Sequence, residues 1–263
     1  MTDTVMRWLE SIAAAFAMYS GIPVPQVKWT KENMRYALCF FPLVGAVIGV
    51  LVWLWCLAAQ TLGVGSSLRS AVCVLIPVLV SGGIHLDGLL DTADALSSWQ
   101  TNERRLEILK DPHAGAFAVI AGCAYFLAAF GIWSEADVMS AAVLGWGFAL
   151  SRALSGFGIC SFPCAKESGL AAAFAGAADR RRCRICLMAE AAACVLGMAY
   201  LDWQRAILAA AAAILVCLLC RRMALRRFGG ITGDIQGFFL QICELVMAYA
   251  VILYPFIKEA FIS

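Results

Sequence analysis

Apolar stretches long enough to cross about 30 Å of hydrocarbon recur along the whole chain, at roughly 38–59, 71–90, 114–133, 138–159, 185–201, 206–220 and 235–256. Between them lie short segments rich in Gly, Pro, Ser and charge. The pattern predicts an all-α, polytopic integral membrane protein of about seven transmembrane helices, a single domain over residues 1–263. Residues 1–35 read as an interfacial or partly inserted helix followed by a Gly- and Pro-dense turn, and 36–258 as the transmembrane bundle. MTDTVMRWLESIAAAF lacks a charged start leading to a small-residue cleavage site, so it reads as a mature segment and not a cleaved signal.

Polar residues interrupt this pattern most sharply at SGGIHLDGLLDTADAL, residues 81–96. Asp87, Asp91 and Asp94 are spaced i, i+4, i+7, which on a helix confines them to an arc of roughly 60°. Three like charges on one face repel one another unless a cation sits among them. An oxygen-only donor set suits Mg²⁺ or Mn²⁺, which typically take a few carboxylates and complete their shell with phosphate oxygens. The bland alternative is the wet end of a helix leaving the membrane. Against it, the acids are continuous with the apolar run AVCVLIPVLV, where ionisable groups are costly and mark function. His85 would lie nearly opposite Asp87 on an unbroken helix, unless Gly82 and Gly83 kink the chain and turn it inward.

Charge in the connections sets orientation. The N-terminal turn and the connections at 91–113, 160–184 and 221–234 are basic, whereas the intervening ones hold at most one Arg. By the positive-inside rule the basic set faces the cytoplasm, so the polar cavity is expected to open there. Composition agrees with a membrane protein: 62% of the 263 residues are hydrophobic and 14% charged. The net charge of +2 says little about partners by itself. Most of the 12 Cys lie in apolar runs and read as small core residues. The Cys183/Cys186 and Cys217/Cys220 pairs are spaced like zinc ligands but lack the turn residues of a metal knuckle.

Two further constellations open to the same side. In LEILKDPHAGAF the helix stops at Pro112 and Gly115, which puts Lys110, Asp111 and His113 at the mouth of the third span. The Arg and Glu residues before them read as an exposed helix with surface pairs such as Arg104–Glu107. In FGGITGDIQGFFLQICEL, Asp234, Gly237, Gln241 and Glu244 share an arc of about 80°, a second polar stripe on a buried helix. Thr232 or Asp234 also suits the N-cap of that helix, and Gly233 stands between them. Arg152, inside the fourth span, should face a cavity or a partner and can hold phosphate bidentately. These groups suit a Mg²⁺-dependent transferase acting on a phosphate or diphosphate. They also suit an ion- or proton-coupled transporter, although transporters place their sites near the bilayer midplane and here the acids crowd at one face.

GGIHLDGLLDTADAL, LEILKDPHAGAF and GGITGD, in this order and over essentially the full chain, resemble the adenosylcobinamide-GDP ribazoletransferase (cobalamin-5′-phosphate synthase) family. The resemblance implies joining of adenosylcobinamide-GDP to α-ribazole or its 5′-phosphate with release of GMP, Mg²⁺ as cofactor, and the bacterial inner membrane. It implies the bilayer and these two substrates as partners, not nucleic acid, and leaves a homo-oligomer open. By analogy Asp87, Asp91 and Asp94 serve metal and diphosphate, with one of them or His85 as the base toward the ribazole hydroxyl. Asp234 and Glu244 are further metal candidates. Lys110, Asp111, His113, Arg152, Thr232, Gly233 and Gln241 are substrate-binding candidates, Lys110 and Arg152 toward the departing phosphate. The chain departs from the family pattern at Leu90, Ala95, Pro112-His113 and Ile235-Gln236, and the middle departure removes an Arg that His113 replaces only in part. A CDP-alcohol phosphotransferase also sets several Asp on membrane helices, but its longer acidic signature is absent.

Overall fold

The apolar stretches are helices, and the residues that end them are the ones capping chemistry favours. The computed structural model describes residues 2–27, 29–166 and 170–262, so Lys28 of the N-terminal turn and 167–169 of the 160–184 connection lie outside the described residues. Helix α1 (Thr2–Tyr19) and a single turn, α2 (Lys31–Met34), precede a 3₁₀ turn at Ala37–Phe40 that runs into α3 (Phe41–Thr61). There follow α4 (Ser66–Ser81), α5 (Ile84–Ser97), α6 (Asn102–Ile108), α7 (Ala116–Ser134) and α8 (Val138–Ser161). The chain closes with α9 (Leu170–Ala177), α10 (Arg180–Leu201), α11 (Trp203–Phe228), α12 (Gly233–Ile252) and α13 (Tyr254–Ile262). Thr101, Asp137, Asp179, Asp202 and Thr232 each accept a backbone N–H as N-caps. Among the described residues the extended pairing is an isolated parallel bridge between Cys164 and Ile231.

Two helices run longer than their apolar cores. The basic segment RRMALRRF, expected as a linker, continues α11 to Phe228, and α10 begins at Arg180 instead of near 185. Arg, Met, Ala and Leu are strong helix formers, and it is Gly229, left-handed at φ 76°, that stops α11. Hydropathy locates the part of a helix that meets lipid and not the part that extends beyond it.

Among the described residues six segments are long and apolar enough to cross a membrane, and α4 and α5 pass that test only together, bent by 95° at their junction. Gly82 and Gly83 make the bend, with φ of 65° and 80°. Two successive left-handed positions are costly for any residue with a Cβ and cheap for Gly. The kink expected from these two residues is therefore a complete break. Contacts fix which ends share a side. Arg69 Nη2 donates to the Ser134 carbonyl at 3.0 Å and Arg205 pairs with Asp137 at 3.0 Å, which gathers the 61–66, 134–138 and 201–203 connections. At the other end Gly115 N–H donates to Asp94, Ala165 N–H to the Ile231 carbonyl, and Lys166 Nζ to the Leu106 carbonyl. The α4–α5 pair thus starts on one side and finishes on the other, as one broken crossing. The basic connections all fall on the side where it finishes.

Close packing of the central helices rests on small residues. A Cβ on Gly45 would run into the Phe148 carbonyl and one on Gly49 into the Gly145 backbone, so α3 and α8 meet backbone to backbone. Beside this contact Arg152, fully buried, donates from Nη1 to the Phe148 carbonyl at 2.8 Å and to Glu244 Oε1 at 2.5 Å. Ser151 Oγ donates to the same Glu244 oxygen at 2.9 Å. A carboxylate and a guanidinium at this depth hold each other, tying α8 to α12.

Two outcomes follow for stability. Gly49→Val should lower the thermal midpoint in detergent by an amount equivalent to about 1–3 kcal/mol of overpacking, whereas Gly131→Ala, where nothing stands within 4 Å, should leave it equal or higher. Glu244→Leu alone strands the Arg152 charge and should cost about 3–5 kcal/mol, and the double variant Arg152→Met/Glu244→Leu should recover most of that loss in the same melting assay.

Candidate active site

The site forms where α5 crosses α12. Gly88 lies against the Asp234 backbone, where an added Cβ would stand 2.6 Å from the Asp234 carbonyl, and Gly237 lies against His85, where it would stand 2.9 Å from that carbonyl. With no side chains between the two backbones, the polar face of α5 and the polar start of α12 are pressed into one neighbourhood. The break at Gly82–Gly83 aims α5 toward α12. The end of α1 docks on the break, through Gly21 N–H to the Val80 carbonyl at 2.8 Å.

A cavity of about 250 Å³ opens at this crossing. Asp87 and His85 from α5, Gly233, Asp234 and Gln236 from α12, and Ser155 from α8 supply its polar lining. Its apolar wall comes from α1 and α3, chiefly Tyr19 and Phe41. Asp87 is exposed and Asp91 half-buried, and Asp91 is within electrostatic range of Asp87, Asp94 and Asp234. His85 and Asp87 leave the first turn of α5 in different directions, one buried and one exposed, and both still border the cavity.

The remaining sequence candidates separate into distinct places. Asp94 turns to α7, accepting from Gly115 N–H at 2.5 Å and Ala118 N–H at 3.0 Å, so backbone N–H groups at that helix start are met by this carboxylate. Glu244 and Arg152, expected at metal and phosphate, are bonded to each other and do not line this cavity. Glu244 borders a separate, much smaller one with Tyr125. Gln241 is buried without lining the cavity either, and its Oε1 has no partner. A helical stripe reads only one helix, and for Arg152 and Glu244 the facing helix supplied the partner. Thr232 is the N-cap of α12, accepting from Ile235 N–H at 3.2 Å. Asp111 and His113 are exposed and engage each other in a turn: Asp111 Oδ1 accepts from His113 N–H at 3.0 Å and lies 2.8 Å from the ring Nδ1. That backbone N–H and ring hold the Asp111 carboxyl below the usual range. Arg104 and Glu107 form the exposed pair the sequence suggested.

Residues outside the three motifs complete the site. Lys166 stands beside Lys110 and within range of Asp234. Burial first, then the neighbouring Lys110, pull its ammonium below the ordinary lysine range. Ser155 Oγ donates to Gln236 Oε1 at 2.9 Å across the cavity wall. Only the one-residue Lys signal in CAKES and the Gln after GDI carried these in the sequence, while Tyr19 and Phe41 look like any aromatic in an apolar run.

Among the described residues no three His, Cys, Asp or Glu side chains are placed to hold a metal ion by themselves. Asp87 and Asp234, both on the cavity and both oxygen donors, with Asp91 near, match instead the way Mg²⁺ binds through one or two carboxylates plus phosphate oxygens. The donor chemistry therefore fits an ion whose shell the substrate completes.

Comparison with known proteins gives this arrangement its relatives. The chain is 44% identical over 248 residues to the adenosylcobinamide-GDP ribazoletransferase of Lachnoclostridium phytofermentans, covering 94% of this chain and 95% of that one. It is 36% identical over 241 residues to the Pseudomonas syringae pv. syringae protein of the same name (86% and 89% covered). With the Desulfitobacterium hafniense one it shares 31% over 259 residues (95% and 100% covered). No solved structure matches it. The Cobalamin-5-phosphate synthase family matches residues 11–252, a span that takes in the α5 carboxylates, the α5–α12 crossing and the basic connections around them, and the chain belongs to that family.

Proposed function

We propose that this chain joins adenosylcobinamide-GDP to α-ribazole or its 5′-phosphate at the α5–α12 cavity, with Mg²⁺, on the cytoplasmic face of the bacterial inner membrane. One observation carries the reading: the glycine crossing gathers Asp87, Asp91 and Asp234 beside a cavity, with Lys166 within electrostatic range of Asp234 and Lys110 beside Lys166. Carboxylates for a cation, ammonium groups for phosphate and a cavity for the organic parts are what a diphosphate substitution needs.

In the reaction a ribazole hydroxyl oxygen forms a bond to the phosphorus on the cobinamide side of the diphosphate. The bond from that phosphorus to the bridging oxygen breaks, and GMP departs with the electron pair. Asp87, exposed on the cavity, takes the hydroxyl proton. Lys110 and Lys166 neutralise the departing phosphate. Asp87, Asp91 and Asp234 would hold Mg²⁺, which supplies charge neutralisation at the diphosphate oxygens when bound. The dry backbone contact at Gly88–Gly237 keeps the carboxylates in fixed register. The orientation rests on the basic connections sharing the side on which the cavity opens.

In purified protein with both substrates, Asp87→Asn, Asp91→Asn and Asp234→Asn should each lower GMP release by a factor of about 100 or more, and EDTA should abolish it with recovery on adding Mg²⁺. Asp111→Asn and His113→Ala, which are exposed, bonded to each other and outside the cavity lining, should stay within about threefold of the parent rate; parent-like activity of all three carboxylate variants would sink the assignment. For orientation, alkaline phosphatase fused after Ser263 should be active and a green fluorescent protein fused there dark, and the opposite pair of results would place the cavity on the outer face.

A further inference from the structure

One wall of the cavity is aromatic. Tyr19 of α1 stacks on Phe41 of α3, ring centroids 4.1 Å apart at 29°, and Phe41 meets the His85 ring at 5.7 Å. Met18, Ile84 and Leu240 fill the rest of that wall. His85 is 5% exposed, borders the cavity, and its Nε2 is buried without a partner. A buried polar atom is normally satisfied, and an unpartnered one on a residue that lines a cavity calls for a ligand atom. The other buried polar groups there, Ser155 and Gln236, are bonded to each other.

We propose that Tyr19, Phe41 and His85 form the subsite for the planar heterocycle of the acceptor nucleoside, with His85 Nε2–H donating to its one unsubstituted ring nitrogen. The inference rests on the transferase reading. Aromatic walls take flat bases by stacking, and one open polar atom suits a base with one open acceptor. Guanine, the other base in the reaction, brings several donors and acceptors to its edge, and this wall would strand them. Position argues the same way. The acceptor base hangs from the sugar that carries the attacking hydroxyl, so it must lie close to the base-catalysing carboxylate, and His85 lies two residues from Asp87 in the first turn of α5.

The test measures GMP release by the wild-type protein in detergent with two matched probes: 1-methylbenzimidazole, which has one open ring nitrogen, and 1-methylindole, which has carbon there. The first should inhibit competitively against the acceptor and not against adenosylcobinamide-GDP, and the second should bind at least fivefold more weakly. His85→Leu should erase the difference between the probes and raise KM for the acceptor tenfold or more, with KM for the GDP substrate within threefold; His85→Gln, which keeps an N–H, should fall between. Phe41→Leu should raise the same KM. Equal inhibition by the two probes, competition with the GDP substrate, or a fall in kcat with the acceptor KM unmoved would overturn the proposal. The wild-type probe comparison does not depend on any variant folding, and absence of GMP release from the wild type would instead overturn the transferase reading beneath it.

Discussion

Everything in this site depends on the absence of side chains where α5 crosses α12. Gly88 and Gly237 let two backbones touch, and that contact turns two separate polar stripes into one pocket. A methyl group at either position would have to displace backbone, which has no soft direction in which to move. Close approach also excludes water from between the helices, so the carboxylates beside the crossing are held by a rigid frame and not by one another. The left-handed pair Gly82–Gly83 is the second half of the same device, because without the 95° turn α5 would continue along α4 past the crossing point.

The membrane makes charge the most expensive component of the bundle, and the chain deals with it in two ways. Some charges are paired across helices: Arg152 with Glu244 in the core, Arg205 with Asp137 at one rim, and Asp94 with the N–H groups of α7. Those contacts hold α8, α12, α11, α5 and α7 in register. Others, Asp87, Asp91 and Asp234, stand near like charges, with Lys166 in range of Asp234 but no ion pair among the described residues. The division separates groups that build the frame from groups open to a ligand, and it cuts across what helix periodicity alone suggests.

Length and hydropathy determine the all-helical membrane class, because a run of about 20 apolar residues has few other solutions in lipid. The motifs carry the family, and the i, i+4, i+7 spacing of the α5 acids carries the idea of a carboxylate face. The Gly pair also announces a break, since two successive left-handed residues are cheap for Gly and costly for any residue with a Cβ. Helix ends were less legible: the Arg-rich end of α11 is polar but helical, and composition does not distinguish those two properties.

What tertiary structure decided is which polar residues meet. Glu244 and Asp94 share stripes with site residues on their own helices, yet one pairs with Arg152 and the other caps α7, because periodicity describes a single helix and partnership belongs to two. Conversely, Tyr19, Phe41 and Ser155 carry no local signal and Lys166 only that of a single Lys, and they reach the site because α1, α3, α8 and the loop after α8 surround the crossing. Sequence by itself determined the chemistry available and the helices that carry it; the contact of two glycine backbones, invisible to any one-dimensional pattern, decided where that chemistry is brought together.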